Sequence, residues 1–395
     1  MMTSTPVVLR PNPLNAIFVT DDEYLVYCQP KGMLHKLNGT AAFLYELCDG
    51  KRTRNEVVAL LGPEVSDHSP QLRAWLEKAE KNQLLLAEHS KASIDNLRRS
   101  ELFAREADTL RDNGAILAAF VCQSQACELA PENAEHWLEL GELAHILGRR
   151  AEAREAYRHF TEMRPDNAEA RLILLALSDE APPARAPDDC IRQLYARFSG
   201  FYEENMCGDL GYEAPRRLQE LLDNFLNNAG NLQVLELGCG TGLSGKVLRQ
   251  YAAHLIGVDL CPEMVSQCQT SQLYDQLEVA EITAFLARKA TEGCRFDLVA
   301  ACDTLIYFGD LSLILKPSAN VLKPQGYFAF TVEKGAEVPY KLNDSGRFSH
   351  SESHIRSTAE EAGFDVLSLE EGFLRYEYGE PVTGFSVMLK KRNPQ

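Results

Sequence analysis

The chain of 395 residues is poor in the features that would place it outside the cell or in a membrane. Its eleven cysteines include no Cys-x-x-Cys, and the nearest pairs, Cys122 with Cys127 and Cys261 with Cys268, suit reduced, mostly buried thiols. Neither a metal site nor a disulfide framework is therefore expected. No window approaches the roughly 18 uninterrupted apolar residues of a membrane-spanning helix, and residues 1–6 lack the charged segment and apolar run of a secretory signal. A cytoplasmic protein without a membrane partner is expected. Positive charge is also scarce: 40 Lys and Arg face 57 Asp and Glu, a net charge of −17, which argues against a nucleic-acid partner. What is present is ordinary for globular proteins, 45% apolar and 25% charged residues, in a chain long enough for two or three cores.

Within it, Leu232 to Gly245 reads as an apolar strand running into glycines at 238, 240 and 242, with a second apolar strand ending at Asp259. Glycines let the backbone approach a ligand closely, and a carboxylate closing the second strand can accept hydrogen bonds from both hydroxyls of a ribose. Gly240, Gly242 and Gly245 also satisfy the dinucleotide pattern Gly-x-Gly-x-x-Gly. However, the strand already ends at Leu237, and a carboxylate from Glu236 at that end would repel a pyrophosphate. The same charge would welcome S-adenosylmethionine, whose sulfonium and amino groups are both positive. The register resembles the Glu-x-Gly-x-Gly-x-Gly pattern of class I methyltransferases. That resemblance implies cofactor contacts from Glu236, Gly238, Gly240, Gly242, Asp259 and Leu260, with S-adenosylhomocysteine as product.

The chain divides by pattern into three segments, 1–92, 93–180 and 188–395. In the first, Tyr24 to Cys28 and Met33 to Leu37 look like strands around a turn at Pro30 to Gly32. Asn38 is placed to cap a helix through Cys48, Thr53 with Glu56 to box the next, and Ser69 or Pro70 to open a third, giving a winged-helix-like α+β unit. The run from His35 to Val58 is similar to PqqD-like domains, which recognise the leader peptides of ribosomally made, modified peptides. The resemblance implies that an extended leader adds to an edge strand, either Leu25 to Cys28 or Met33 to Leu37, and lies on the third helix. Leu25, Tyr27, Leu34, Leu72 and Trp75 become candidate peptide contacts. DNA reading by that helix is disfavoured, because Glu77 and Glu80 alternate with Arg73, Lys78 and Lys81.

In the second segment, Pro131 to Leu138 realigns on Pro165 to Leu172 at a spacing of 34, the tetratricopeptide period. About two and a half such repeats precede a proline-rich linker, Ala181 to Pro187, too few for independent stability. An α-helical spacer or docking shelf is expected, and a homo-oligomer remains open.

From 188 onward, seven candidate strands alternate with helices: 232–237, 255–259, 277–280, 296–301, 326–332, 365–369 and 383–390. They are enough for an α/β Rossmann-like sheet with its ligand at the strand ends. Glu281 and Ile282 close the third strand, near the expected adenine, and Asp303 and Tyr307 follow the fourth. The run Phe296 to Asp310, with Leu322 to Gly326 and Gly346 to His350, resembles predicted methyltransferases that carry tetratricopeptide repeats. Tyr195, Phe198 and Tyr212 are then expected to cover the sulfonium with aromatic faces. His350, Asp303 and Tyr307 are candidate bases, and Arg347 and Arg375 are placed to hold a substrate carboxylate. His350 and His354 lack a third ligand, so no metal is assigned.

Together these readings describe a SAM-dependent methyltransferase acting on a precursor peptide whose leader is held by the N-terminal domain, with a carboxyl-bearing core residue favoured as acceptor. A small-molecule methyltransferase and a non-catalytic peptide adaptor stay open.

Overall fold

The computed structural model describes residues 7–60, 69–88, 95–178, 180–204, 206, 208, 210–226, 230–336, 338–377 and 379–393. The expected boundary near residue 92 lies outside them. Two compact units emerge, residues 1–164 and 165–395. Among the described residues no helix is long and apolar enough to cross a membrane.

The first unit begins with strands β1 (Val8–Pro11), β2 (Asn15–Val19), β3 (Tyr24–Cys28) and β4 (Met33–Leu37), with β5 (Leu85–Glu88) pairing antiparallel to β1. β2, β3 and β4 form an antiparallel meander in that order, so β3 is central and every one of its five residues is buried. Three helices follow, the first two with the capping expected from sequence. Asn38 accepts from the N–H of Ala41 ahead of Gly39–Leu47, and Thr53 and Glu56 form a reciprocal capping box at Arg54–Ala59. The third, Ser69–Lys81, contributes Leu72, Leu76 and Ala79 to the core under β3. Four antiparallel helices complete the unit: Asn96–Asp112, Ile116–Leu129, Ala134–Ile146 and Arg150–Met163. Gly141 is required where the last two meet, since a Cβ there would lie 3.0 Å from the ring of Tyr157.

The next helix, Ala168–Ala176, opens on Asn167 as Ala134–Ile146 opens on Asn133, keeping the 34-residue spacing. It nevertheless belongs to the second unit, because Ala168, Leu172 and Ala176 pack into that unit's core. The segment 93–180 is thus divided between the two. The proline-rich stretch is also no free linker: Ala186 donates to the carbonyl of Tyr307 at 2.8 Å, and Gly309 and Asp310 both donate to that of Ala184. It runs as an ordered strap along the same sheet that carries the glycine loop.

That sheet contains all seven anticipated strands: β6 (Leu232–Leu237), β7 (Ala252–Asp259), β8 (Gln276–Val279), β9 (Phe296–Ala301), β10 (Leu322–Lys334), β13 (Phe364–Glu377) and β14 (Glu380–Lys391). Two short strands not foreseen, β11 (Tyr340–Leu342) and β12 (Phe348–His350), extend it at the end of β10. The order β8-β7-β6-β9-β10-β14-β13 is parallel as far as β10, and the long final hairpin closes the edge antiparallel. Chain order reverses direction at β6, with β7 on one side and β9 on the other, which opens a crevice beyond their carboxyl ends.

Leu76 is fully buried between the meander and its helices. Leu76→Ala is expected to destabilise the first unit by roughly 2–5 kcal/mol, visible as an earlier urea transition for that unit while the transition of the second stays in place.

Candidate functional site

At the crevice, Gly238 (φ +71) and Gly240 (φ +51) turn the chain sharply after β6. The N–H groups of Gly238 and Cys239 both donate to the carbonyl of Val258 on β7, and that of Gly240 to Asp259 Oδ2 at 2.9 Å. A Cβ on Gly238 would lie 2.4 Å from Thr304, whereas one on Gly240 would meet nothing within 4 Å. Gly240 therefore presents bare backbone to the pocket. The pocket takes its floor from this loop, one wall from Asp259, Leu260 and Ile282, and the other from Asp303 and Tyr307. Tyr195 and Tyr202, from the helical segment before the sheet, cover it.

Its electrostatics favour a cation. Among the described residues that line it, Asp259, Glu281 and Asp303 stand with one cation, Arg185, which is already paired with Glu281 at 2.9 Å and Asp188 at 2.6 Å; of the three carboxylates, Asp303 is paired with Arg375 from outside the pocket. A pyrophosphate would find no free positive partner, while a nucleoside bearing a sulfonium and an ammonium would. Asp259 keeps lone pairs for ribose hydroxyls, its carboxyl pushed up by burial and held down in part by the N–H groups of Cys261 and Gly240. Leu260 and Ile282 supply the apolar faces that a purine needs. These residues fit S-adenosylmethionine.

Three cofactor expectations are corrected. Glu236 is fully buried behind the loop, where its carboxylate accepts hydrogen bonds from Ser244 and Tyr274; burial raises it to about 7 despite those donors. Gly242 is not among the residues that line the pocket, and a Cβ there would lie 3.2 Å from Cys268 Sγ. Tyr212 sits beneath the site with its hydroxyl 3.7 Å from Cys302 Sγ. Glu281 does reach the pocket, but its carboxylate caps the helix Ile282–Thr291 through the N–H groups of Thr283 and Ala284. Tyr274 was not foreseen; the signal was Gly245 and Gly257, where any Cβ would strike its ring.

A second cavity shares Tyr195, Tyr202 and Asp303 with the first and is bounded by Phe198, Arg347 and Arg375. Asp303 stands between the two in a left-handed conformation (φ +52), unfavourable for a non-glycine residue. It is fixed there because its N–H donates to Thr331 and Arg375 donates to both carboxylate oxygens at 3.0 and 3.1 Å. Arg375, 1% exposed, also pairs with Glu333 and so is not free to hold a substrate carboxylate. Arg347 pairs with Glu377 and borders the cavity. Tyr307 shares a 2.8 Å hydrogen bond with Tyr195, and burial raises its phenol, leaving it a donor and not a base at neutral pH. His350 borders neither cavity. It is completely buried, donates from Nε2 to the carbonyl of Phe308 at 2.7 Å, and is pushed down to about 4 by desolvation. It is a structural imidazole and not the base.

In the first unit, a groove of about 750 Å³ lies between β4 and the helix Ser69–Lys81. Leu34, Leu72 and Trp75 line it, as expected. Leu25 and Tyr27 do not: they belong to central β3, are each 2% exposed, and Tyr27 donates to Glu106. On the opposite side of the meander the N–H of Ile17 in β2 is taken by Gln125 Oε1 at 3.1 Å, leaving β4 as the accessible edge.

Two stretches of the chain match known families. Residues 235–330 match the family model described as methyltransferase domain, and residues 23–85 that described as coenzyme PQQ synthesis protein D (PqqD). A malonyl-[acyl-carrier protein] O-methyltransferase of Pseudescherichia vulneris is 30% identical over 173 residues, covering 43% of this chain and 65% of that protein. A ubiquinone biosynthesis O-methyltransferase of Bartonella tribocorum is 28% identical over 96 residues, covering 24% and 39%. The chain thus spans less than two thirds of the length of these curated relatives. Among solved structures, the 1,6-didemethyltoxoflavin-N1-methyltransferase of Burkholderia thailandensis aligns at a TM-score of 0.41 with 20% identity, covering 54% of this chain and 93% of that one. The chain carries a class I, SAM-dependent type of methyltransferase domain and a PqqD domain.

Two outcomes are expected. Gly238→Ala should weaken S-adenosylhomocysteine binding at least about tenfold, roughly 1.4 kcal/mol, by calorimetry on protein whose circular dichroism is unchanged. Glu236 holds its proton more tightly folded than unfolded, so its contribution is greatest below its ordinary value of 4.5 and declines until the pH passes about 7. Glu236→Gln should remove that decline, worth about 2.4 kcal/mol between pH 5 and 7.5, read from urea melts of both proteins at those two pH values.

Proposed function

We propose that the protein is a SAM-dependent methyltransferase that modifies a ribosomally made precursor peptide, its PqqD domain holding the leader while the C-terminal domain methylates a core residue. The observation that carries this reading is the presence, in one chain, of an open edge-strand groove and of an acidic pocket, suited to a cationic cofactor, that shares Tyr195, Tyr202 and Asp303 with a second cavity. Main-chain pairing with β4 gives affinity, and side-chain pockets beneath Trp75 and Leu72 give selectivity. A leader held in that way raises the local concentration of the core, so the catalytic cavity can bind its residue weakly and still turn over. The helices of residues 96–163 are read as a tetratricopeptide-like spacer.

S-adenosylmethionine, when bound, supplies an electrophilic methyl group. The chain's own residues then align the acceptor and exclude water, as direct displacement requires. Tyr195 and Tyr202 line both cavities, and their buried hydroxyls stay protonated. Asp303, pinned by Arg375, faces the acceptor side and is the group placed to accept a proton where the acceptor must lose one. A carboxyl-bearing acceptor is already ionised and needs no base. Arg347 is the side chain placed to receive it, by exchange with the partly exposed Glu377.

The test incubates the full chain and methyl-labelled SAM with the short-peptide fraction of the source organism and measures intact masses. A leader-bearing peptide that gains one labelled methyl supports the reading; label found only in small metabolites overturns it. With such a peptide, Trp75→Ala should raise KM about tenfold, since truncation of a central aromatic anchor costs upward of ~1 kcal/mol, and leave kcat unchanged.

A further inference from the structure

The groove beside β4 has a charge pattern at odds with the rest of the molecule. In a chain of net charge −17, the described residues of its lining include Lys36 and Lys78, and no carboxylate. The two lysines differ. Lys36 is 65% exposed and pairs with Glu23 at 2.8 Å, and Glu23 also pairs with Arg149. Lys78 makes no ion pair among the described residues. It stands one helical turn from Trp75, on the face that also presents Gln71 and Asn82 to the groove. On the facing strand the titratable groups are Lys36, turned to Glu23, and His35, whose imidazole is pushed down first by burial and then by Lys78 itself. His35 Nε2 is buried without a hydrogen-bond partner. A neutral imidazole on one wall and an uncompensated ammonium on the other leave a gap suited to an anionic side chain.

Resting on the reading of this groove as the leader's seat, we propose that it selects an acidic, amphipathic segment: an extended peptide that places an apolar side chain against Trp75 and a carboxylate, two residues away, against Lys78. The spacing follows from geometry. One helical turn separates Trp75 from Lys78 by about 4.5 Å along the axis, and same-face side chains of an extended strand recur every 6.5–7 Å or so, a difference the four-carbon lysine stem absorbs. Lys78 thus acts on specificity, while main-chain pairing along β4 supplies affinity that is indifferent to charge.

The test uses fluorescein-labelled nine-residue peptides, serine throughout except for leucines at the third and seventh positions and Glu, Gln or Lys at the fifth. The central residue is two places from a leucine in either chain direction. Fluorescence anisotropy with the full chain at low ionic strength should rank the Glu peptide about fivefold tighter than the Gln peptide, the scale of one partly exposed ion pair, and the Lys peptide weakest. The Lys78→Glu variant should invert that order, an outcome unfolding could not produce. The preference should shrink at high salt. Equal binding of Glu and Gln peptides, or an order that Lys78→Glu leaves unchanged, overturns the charge selection while the groove remains a peptide seat. If none of the three peptides binds, the groove reading falls with it.

Discussion

A carboxylate sealed behind the glycine loop organises the catalytic unit. Glu236 takes hydroxyl donors from Ser244, in the turn just past the loop, and from Tyr274, at the approach to β8. Tyr274 fits because Gly245 and Gly257 leave its ring room, so one aromatic side chain spans the loop's far end, the interior of β7 and the end of β6. With the loop's near end tied to Val258 and Asp259, the backbone that faces the cofactor is held on both sides. Shape in the pocket is thus set from outside it, by a group that does not touch the ligand.

A second buried charge arrangement does for the acceptor side what Glu236 does for the cofactor side. Arg375 arrives from β13, 72 residues after Asp303, and holds that aspartate in a left-handed conformation while Glu333 on β10 balances the guanidinium. Removing Arg375 would strand two buried carboxylates, Asp303 and Glu333, a costlier change than the pairs' own strength implies. The final hairpin is therefore part of the site's floor as well as the sheet's edge.

The strands, helix starts and glycine turn were legible because they depend on local chemistry: apolar runs, asparagine and threonine caps, glycines with positive φ. The residues closing the strands, Asp259, Ile282 and Asp303, were legible for the same reason, since topology fixes where strand ends point. What failed was side-chain direction one layer further in. Nothing local shows that Glu236 turns inward, that His350 is spent on the Phe308 carbonyl, or that Arg375 already has partners. Likewise Leu25 and Tyr27 alternate as edge residues would, yet pairing on both sides makes β3 central, a fact of sheet order that required seeing β2. Conversely, the proline-rich stretch reads as a spacer from composition alone and is ordered only because Tyr307, Gly309 and Asp310 supply backbone partners.

Gln125 has a further effect through its hold on the N–H of Ile17. With that margin of the meander occupied from within the chain, the sheet can lengthen in one direction only, across β4. Two copies that joined their sheets there would each cover the other's seat for a guest strand. On the proposed reading, self-association by that route and capture of a leader would compete for the same row of backbone groups.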